Sequence, residues 1–208
     1  MPKTKPTTPE PTDASVRRGR RRLLLIALLF LIPVVLATSL YFGGWRPQGR
    51  ALHHGELVQP VYPITDVALR KADGASHRFH ALRGSWTFVT FSHLPCEQVC
   101  RNNLYKMQQV RLTQGKDAGR VQRAVIAIGS DSELGTLQSQ YPGLMAFTGA
   151  PPEIQKMINE FAGPRGAGQD RIYLMDPLGN VVLRYAPDAD PSGMRKDLAR
   201  LLRLSQIG

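Results

Sequence analysis

The stretch WTFVTFSHLPCEQVC, residues 86–100, joins a short apolar segment to the two cysteines of a 208-residue chain. Trp86 to Phe91 is rich in aromatic and β-branched residues, which is typical of a β-strand. Cys96 to Thr113 carries apolar side chains at helical spacing, which predicts a helix. Cys96 is therefore expected at a strand-to-helix junction, where the N-terminal end of the helix stabilises a thiolate.

The two cysteines are four residues apart, so a structural disulfide, a redox dithiol and a metal site are all chemically possible. A bridge that closes so short a loop adds little chain-entropy stabilisation, which argues against a purely structural role. Cys100 is expected one helical turn beyond Cys96 and on the same side. Two sulfurs so placed can close a disulfide or bind a soft metal ion such as Cu(I).

The N-terminal part contains an apolar run, LLLIALLFLIPVVLATSLYF, over residues 23–42. Twenty residues without a charge match the hydrocarbon thickness of a bilayer. A cleaved signal peptide is the alternative, but its apolar core is usually shorter, and Ala37-Thr38-Ser39 matches a cleavage site poorly. Lys and Arg residues are concentrated before the run, which predicts a cytoplasmic N-terminus and an exported C-terminal part.

Charge and composition complete the predicted domain organisation. Residues 1–50 carry nine Lys and Arg against two Asp and Glu, so much of the net charge of +11 is a topology signal. No basic cluster interleaved with aromatics follows, and a nucleic-acid partner is not expected. We predict a disordered cytoplasmic tail over 1–22, a transmembrane anchor over 23–42, a linker over 43–60 and an extracytoplasmic domain over 61–208.

The order of elements in the exported part predicts the fold. A hairpin around Asp73-Gly74 comes first, and the strand and helix described above follow it. The remaining predicted elements are a strand at Val121–Gly129, helices at Asp131–Tyr141 and Pro151–Phe161, a hairpin of Ile172–Met175 with Val181–Tyr185, and a helix at Ser192–Leu204. This order predicts an α/β, thioredoxin-like fold with an N-terminal β-hairpin, preceded by one transmembrane helix.

The segment WTFVTFSHLPCEQVCRNNLYKMQQV, residues 86–110, resembles the signature region of the Sco/SenC family. Three further blocks resemble that family in the same order: DVALRKADGASHRFHALRGSW (66–86), MAFTGAPPEIQKMINEFAG (145–163) and IYLMDPLGNVVLRY (172–185). The likeness covers residues 62–205. It implies a membrane-anchored, thioredoxin-fold protein that helps to deliver copper to cytochrome c oxidase.

The copper ligands of that family are two CxxxC cysteines and a histidine shortly before the closing hairpin. Residues 163–171 here read GPRGAGQDR and contain no histidine. The resemblance therefore implies Cys96 and Cys100 as ligands, and His93, three residues ahead of Cys96, is the local candidate for a third. Alternatively, His93 is a solvent-exposed residue that tunes the thiolate. His53 and His54 are expected to be exposed and inert, and His77 and His80 to lie on opposite sides of the hairpin.

The preferred functional hypothesis is a Sco-like accessory factor for cytochrome c oxidase biogenesis in a bacterial cytoplasmic membrane, with its domain in the periplasm. Cys96 and Cys100 would act by thiol–disulfide exchange, by weak or transient copper transfer, or by both. The partners would be oxidase subunits or other copper and redox assembly factors. The alternatives are a non-catalytic scaffold with an inert disulfide, and a peroxiredoxin-like peroxidase. His93 argues against the peroxidase, because peroxiredoxins have threonine at that position.

Overall fold

The computed structural model of the protein describes residues 13–43, 53–61, 63–163 and 168–205. The chain divides into two compact units, Met1–Arg50 and Ala51–Gly208. Residues 1–12 of the predicted disordered tail lie outside the described residues, as do residues 44–52 of the predicted linker.

The first unit contains one long helix, α1, which runs from Asp13 to Phe42 and includes Pro33. Its segment Arg20–Leu40 has a mean hydropathy of 2.8 and is long and apolar enough to cross a membrane. The helix begins inside the predicted tail, ten residues before the predicted anchor. Residues 13–22 contain no proline and five arginines, and arginine is a good helix former.

The second unit is built on one mixed eight-stranded sheet with helices on both faces. Its strands are β1 (Glu56–Leu57), β2 (Ala68–Lys71), β3 (Ser76–Arg78), β4 (Trp86–His93), β5 (Val121–Ile128), β6 (Leu144–Thr148), β7 (Ile172–Met175) and β8 (Val181–Tyr185). Its α-helices are α2 (Gln98–Leu112), α3 (Leu134–Gln140), α4 (Pro151–Ala162) and α5 (Pro191–Leu204). Two 3₁₀ turns, Phe79–Leu82 and Gly115–Arg120, complete it.

The sheet order is β1-β8-β7-β4-β5-β6-β2-β3. Strands β4, β5 and β6 are parallel, and the outer pairings are antiparallel. The predicted N-terminal hairpin is confirmed as β2 and β3, and the predicted closing hairpin as β7 and β8. The architecture is the α/β arrangement that the sequence predicts.

Strand β4 is the centre of this sheet and carries the dithiol segment at its carboxyl end. It pairs in parallel with β5 along its whole length and antiparallel with β7. Its residues are buried up to Ser92. Alternate side chains enter two different cores: Phe88 packs on the side of α2 and α5, and Val89 and Phe91 on the side of α4. The strand extends two residues beyond its predicted end, so His93 is its last residue.

Two strands were not predicted from the sequence. Residues 144–148, LMAFT, form β6, but a short apolar run between two helices cannot be assigned from periodicity alone. Glu56–Leu57 forms β1 within the segment predicted as a linker over 43–60, and it pairs with β8. From His53 onward this segment is therefore part of the folded unit. Its attachment depends on Asp197, which is far away in the sequence.

Candidate redox site

Cys96 and Cys100 are joined by a disulfide, with their Cα atoms 5.4 Å apart. Glu97, in an extended conformation, is the N-cap of α2. The helix thus begins two residues later than predicted, and Cys96 precedes the cap instead of lying in the first turn. Cys100 is the third helical residue. Leu94 and Pro95 form a bend after β4, and the backbone becomes helical only after the extended Glu97.

Both cysteines are buried: Cys96 is 4% exposed and Cys100 is 3% exposed. They belong to the core between β4 and α2, together with Leu94, Leu104 and Met107. Solvent and partners can therefore reach the disulfide only through an opening in the surface beside it.

Such an opening is present at the start of α2. A cleft of about 410 Å³ is lined by residues 93–95, residues 97–100 and Asp170. His93 and Cys100 both line it, whereas Cys96 is not part of its lining. His93 and Val99 are both exposed there. The cleft gives access to one end of the disulfide.

A larger cleft of about 650 Å³ lies elsewhere, along residues 53–59 and beside Arg184. Its charged groups already have structural partners. The Arg184 guanidinium binds the Glu56 carboxylate, with Nε 2.7 Å from Oε2, and His54 binds Asp197. Volume alone would favour this cleft, but the smaller cleft is the one that Cys100 lines.

The backbone of Cys96 is held on both sides by charged side chains. Its N–H donates to Glu133 Oε2 at 3.3 Å, and its carbonyl oxygen accepts from Arg101 Nη1 at 2.6 Å. Glu133 is the N-cap of α3 and follows β5. The sequence predicted Glu133 within the helix Asp131–Tyr141 and indicated neither contact with Cys96. A signal was available, because the carboxyl ends of the neighbouring parallel strands β4 and β5 meet at one edge of the sheet.

Asp170 is a further residue that sequence reasoning missed. Its φ of 57° lies in the left-handed region, which is uncommon for residues other than glycine but is tolerated by aspartate. Its N–H donates to Phe91 O at 3.1 Å, and its carbonyl oxygen accepts from Asn103 Nδ2 at 2.9 Å. Asn103 is fully buried, one turn after Cys100 on α2. Asp170 is thereby fixed at the cleft, in the segment where the family resemblance implies a histidine.

The donor set does not fit a resident copper ion in this disulfide form. Within the described ranges, no group of three or more His, Cys, Asp or Glu side chains could hold a metal ion. Both sulfurs are used in the disulfide, whereas the metal ligand is a thiolate. Besides His93, the groups near the disulfide include the carboxylates of Glu133 and Asp170, and carboxylates suit harder ions than Cu(I).

The other four histidines have structural contacts. His53 Nδ1 lies 2.8 Å from Gly55 O, and His54 Nδ1 lies 3.1 Å from Asp197 Oδ1. His54 is exposed as predicted, whereas His53 is half-buried. His80 lies in a 3₁₀ turn beyond the hairpin, with Nε2 3.0 Å from Ile64 O. The His77 ring stacks on Phe147, with centroids 4.9 Å apart. Burial lowers the pKa of His77, and the charge of Lys71 lowers it further.

Comparison with known families gives two matches along the chain. Residues 86–205 match the family described as transmembrane-like, thioredoxin-like, C-terminal domain. Residues 13–44 match the family described as transmembrane-like, N-terminal domain. The first match alone covers more than half of the chain.

Individual relatives agree with these matches. The mitochondrial protein SCO2 homolog of Bos taurus is 24% identical over 199 residues, which cover 83% of this chain and 74% of the relative. The structure of Arabidopsis thaliana ScoI with copper bound is 20% identical and has a TM-score of 0.57, covering 69% of this chain and 100% of that one. The structure of BsSco, described as a member of the Sco family of cytochrome c oxidase assembly proteins with a disulfide switch, is 17% identical and has a TM-score of 0.55, covering 72% and 99%.

The structural similarities confirm the predicted thioredoxin-like fold. The family matches account for both the apolar N-terminal helix and the domain that carries the disulfide. The chain is similar to Sco proteins in sequence and fold, and it belongs to the family described as transmembrane-like, thioredoxin-like.

Proposed function

We propose that this protein is a membrane-anchored accessory factor of cytochrome c oxidase assembly that exchanges electrons through the Cys96–Cys100 disulfide. One observation carries the proposal: the disulfide lies at the carboxyl end of central strand β4, beside a cleft that reaches Cys100. In open α/β sheets, functional groups gather outside the carboxyl ends of the parallel strands. Helix α1 would be the anchor, with a cytoplasmic N-terminus and a periplasmic domain.

The chemistry is a two-electron exchange with a protein dithiol. A thiolate of the partner attacks the disulfide and forms a mixed disulfide, and the second partner thiolate then releases it. The partner is oxidised to a disulfide, and Cys96 and Cys100 are reduced to thiols. The N-terminal end of α2 favours the thiolate form that this exchange needs. Because BsSco is described as an oxidase assembly protein, subunits or assembly factors of the oxidase are the proposed partners.

An inert disulfide in a scaffold protein is the alternative, and it has less physical support. A structural bridge stabilises a fold mainly by closing a long loop in the unfolded chain. This bridge spans a sequence separation of only four residues. Such a bridge contributes more to the chemistry at the end of β4 than to the stability of the domain.

A double variant, Cys96→Ser with Cys100→Ser, tests this proposal. We expect it to remain folded by circular dichroism and to fail to restore oxidase activity in a strain that lacks the protein. The reduction potential of the wild-type disulfide, measured by equilibration with a thiol redox buffer, should lie above about −300 mV. Structural disulfides have potentials below that value. A lower potential, together with full restoration of oxidase activity by the double variant, would contradict the proposal.

A second candidate function is the transfer of Cu(I) as cargo of the reduced protein. It is favoured by the shared cleft of His93 and Cys100 and by the copper-bound structure of Arabidopsis ScoI. Cys96 and Cys100 would supply two thiolates and His93 an imidazole, ligand types that copper accepts. The two carboxylates nearby would keep such binding weak or transient.

Titration of the reduced full-length protein with Cu(I), in competition with a chelator of known affinity, tests this second candidate. One ion should bind the wild type, and Cys96→Ser should abolish that binding. The His93→Ala variant should weaken it by about tenfold, equivalent to roughly 1.4 kcal/mol. His80→Ala is the matched control, because its imidazole lies in another part of the domain. Equal binding by the wild type and Cys96→Ser would exclude cargo transfer through the dithiol.

A further inference from the structure

We propose that the arginines at the start of α1 bind the phosphate groups of anionic phospholipids. Five arginines stand within six residues directly before the apolar run 23–42, namely Arg17, Arg18, Arg20, Arg21 and Arg22. The inference rests on the proposed role of α1 as a membrane anchor and goes beyond it. Positive charge beside an apolar helix sets the orientation of that helix. The inference concerns the lipids that then surround it.

The length of the apolar run fixes the depth of the arginines in a bilayer. Twenty residues in a helix that stands upright span about 30 Å, which is the thickness of the hydrocarbon core. The run therefore fills the core, and Arg22 stands at its boundary. The headgroup layer beyond that boundary is about 5–7 Å thick. Residues 17–22 extend over about 7.5 Å of the helix axis, so the five arginines stand at the depth of the lipid phosphates.

The helical backbone keeps these five positions together. Helix α1 begins at Asp13 and continues into the apolar run. In an extended chain, residues 17–22 would cover about 17 Å, and the first of them would stand in water beyond the phosphates. In the helix, the five arginine positions cover roughly 200° of the circumference, and the sector without an arginine contains Gly19. Several lipids can therefore contact the arginines at the same time.

Charge and exposure identify the ligand. Residues 13–22 carry five arginines against one acidic residue, Asp13. Arg20, Arg21 and Arg22 are exposed. A guanidinium presents a planar fork of N–H donors that matches phosphate oxygens, and the long side chain of arginine can follow an apolar surface to the headgroups. Phosphatidylglycerol has a net negative charge and phosphatidylcholine has none, so the helix should prefer phosphatidylglycerol.

The lipid selectivity of the reconstituted protein tests the inference. The full-length protein is placed in phosphatidylcholine vesicles with traces of spin-labelled phosphatidylglycerol or phosphatidylcholine, and electron paramagnetic resonance measures the immobilised fraction of each label. Phosphatidylglycerol should be preferred about fivefold at low ionic strength. In roughly 1 M salt, where charges are screened beyond about 3 Å, the preference should disappear. Equal immobilisation of the two labels would overturn the inference alone. Immobilisation of neither label would overturn the proposed anchor and the inference with it.

Two variants with equal net charge identify the arginines as the cause. In the first variant, all five arginines are replaced: R17Q, R18Q, R20Q, R21Q and R22Q. In the control, five exposed charges of the second unit are replaced instead: R70Q, K71Q, K116Q, K156Q and R195Q. The first variant should lose the preference for phosphatidylglycerol, and the control should keep it. The opposite result in either variant would overturn the inference.

Inorganic phosphate tests the source of the anion. Because it shares the chemistry of the lipid phosphate, a site for a free anion would bind it. At equal ionic strength, phosphate should displace the spin-labelled phosphatidylglycerol no better than chloride does. Stronger displacement by phosphate would overturn the assignment to lipid.

A pair of variants at Gly19 tests the role of the helix without a change of charge. Proline in a helix interior removes a backbone hydrogen bond and clashes with the preceding turn, so Gly19→Pro should release Arg17 and Arg18 from the headgroup layer and about halve the preference. Gly19→Ala is the control, because alanine favours the helix and should leave the preference unchanged. Equal preferences in the two variants would show that the helical backbone does not position these arginines and would overturn that part of the inference.

Discussion

Replacement of Phe161 by alanine is expected to lower the free energy of unfolding by about 4 kcal/mol, within the range for buried phenylalanines. Phe161 is fully buried on α4. Its ring makes edge-to-face contacts with Phe91 and Tyr173, at centroid distances of 5.0 and 5.2 Å, and a third contact with Phe79 at 5.8 Å. Alanine would leave a cavity that three large rings cannot fill by small movements, because packed interiors relax only partially.

Urea denaturation of the full-length protein in detergent, followed by near-UV circular dichroism, gives this value. Tyr105→Ala is the matched control, because it removes an aromatic ring that is largely exposed on α2. Its expected effect is within about 0.5 kcal/mol. Similar losses of unfolding free energy in the two variants would show that the aromatic cluster around Phe161 does not stabilise the domain. Because the Phe91 carbonyl oxygen binds the Asp170 N–H, Phe161→Ala should also speed hydrogen exchange at that amide.

Replacement of Asp197 by alanine is the second change with a large expected effect. It should lower the free energy of unfolding by about 3 kcal/mol, because several buried donors would be left without acceptors. Asp197 lies on α5 and is 2% exposed. Its carboxylate accepts from the N–H groups of His54, at 2.8 and 3.0 Å, and of Gly55, at 2.9 Å. It also accepts from the Tyr185 hydroxyl at 3.2 Å. Burial raises the pKa of Tyr185, and the Asp197 charge raises it further, so the phenol stays protonated as a donor.

Thermal unfolding provides the measurement for Asp197→Ala, since a loss of 3 kcal/mol in a domain of this size corresponds to roughly 6–12 °C in Tm. The control is Asp188→Ala, which removes an exposed carboxylate that precedes the same helix. The contacts of Asp197 with His54 and Gly55 predict a local effect as well. Strand β1 should lose its hydrogen-exchange protection before the other strands do, because Asp197 fixes the chain directly before it. Unchanged protection of β1 would mean that Asp197 does not attach this segment.

The closing hairpin shows how far local sequence can determine structure. Its strands, Ile172–Met175 and Val181–Tyr185, were predicted with the bounds that the structure has. The turn between them is encoded by its own residues: the Asp176 carboxylate accepts from the N–H groups of Leu178 and Asn180, and Gly179 adopts a φ of 93°. Strand β6 lacked such a signal and was missed. Strand β1 has only two residues and exists because β8 lies beside it.

The sequence by itself determined the strand that leads to the dithiol, the helix that follows it and the apolar N-terminal run. Each of these depends on periodicity, spacing or turn chemistry within a few residues. Only the tertiary structure decided that Cys100 faces the cleft and that Glu133 and Arg101 hold Cys96. It also placed Asp170, which Asn103 fixes, where the family resemblance implies a histidine. The physical reason is distance along the chain: the contacts of Glu133, Asn103 and Asp197 span 37, 67 and 143 residues. No local pattern encodes such contacts, because they form only when the sheet brings its loops together.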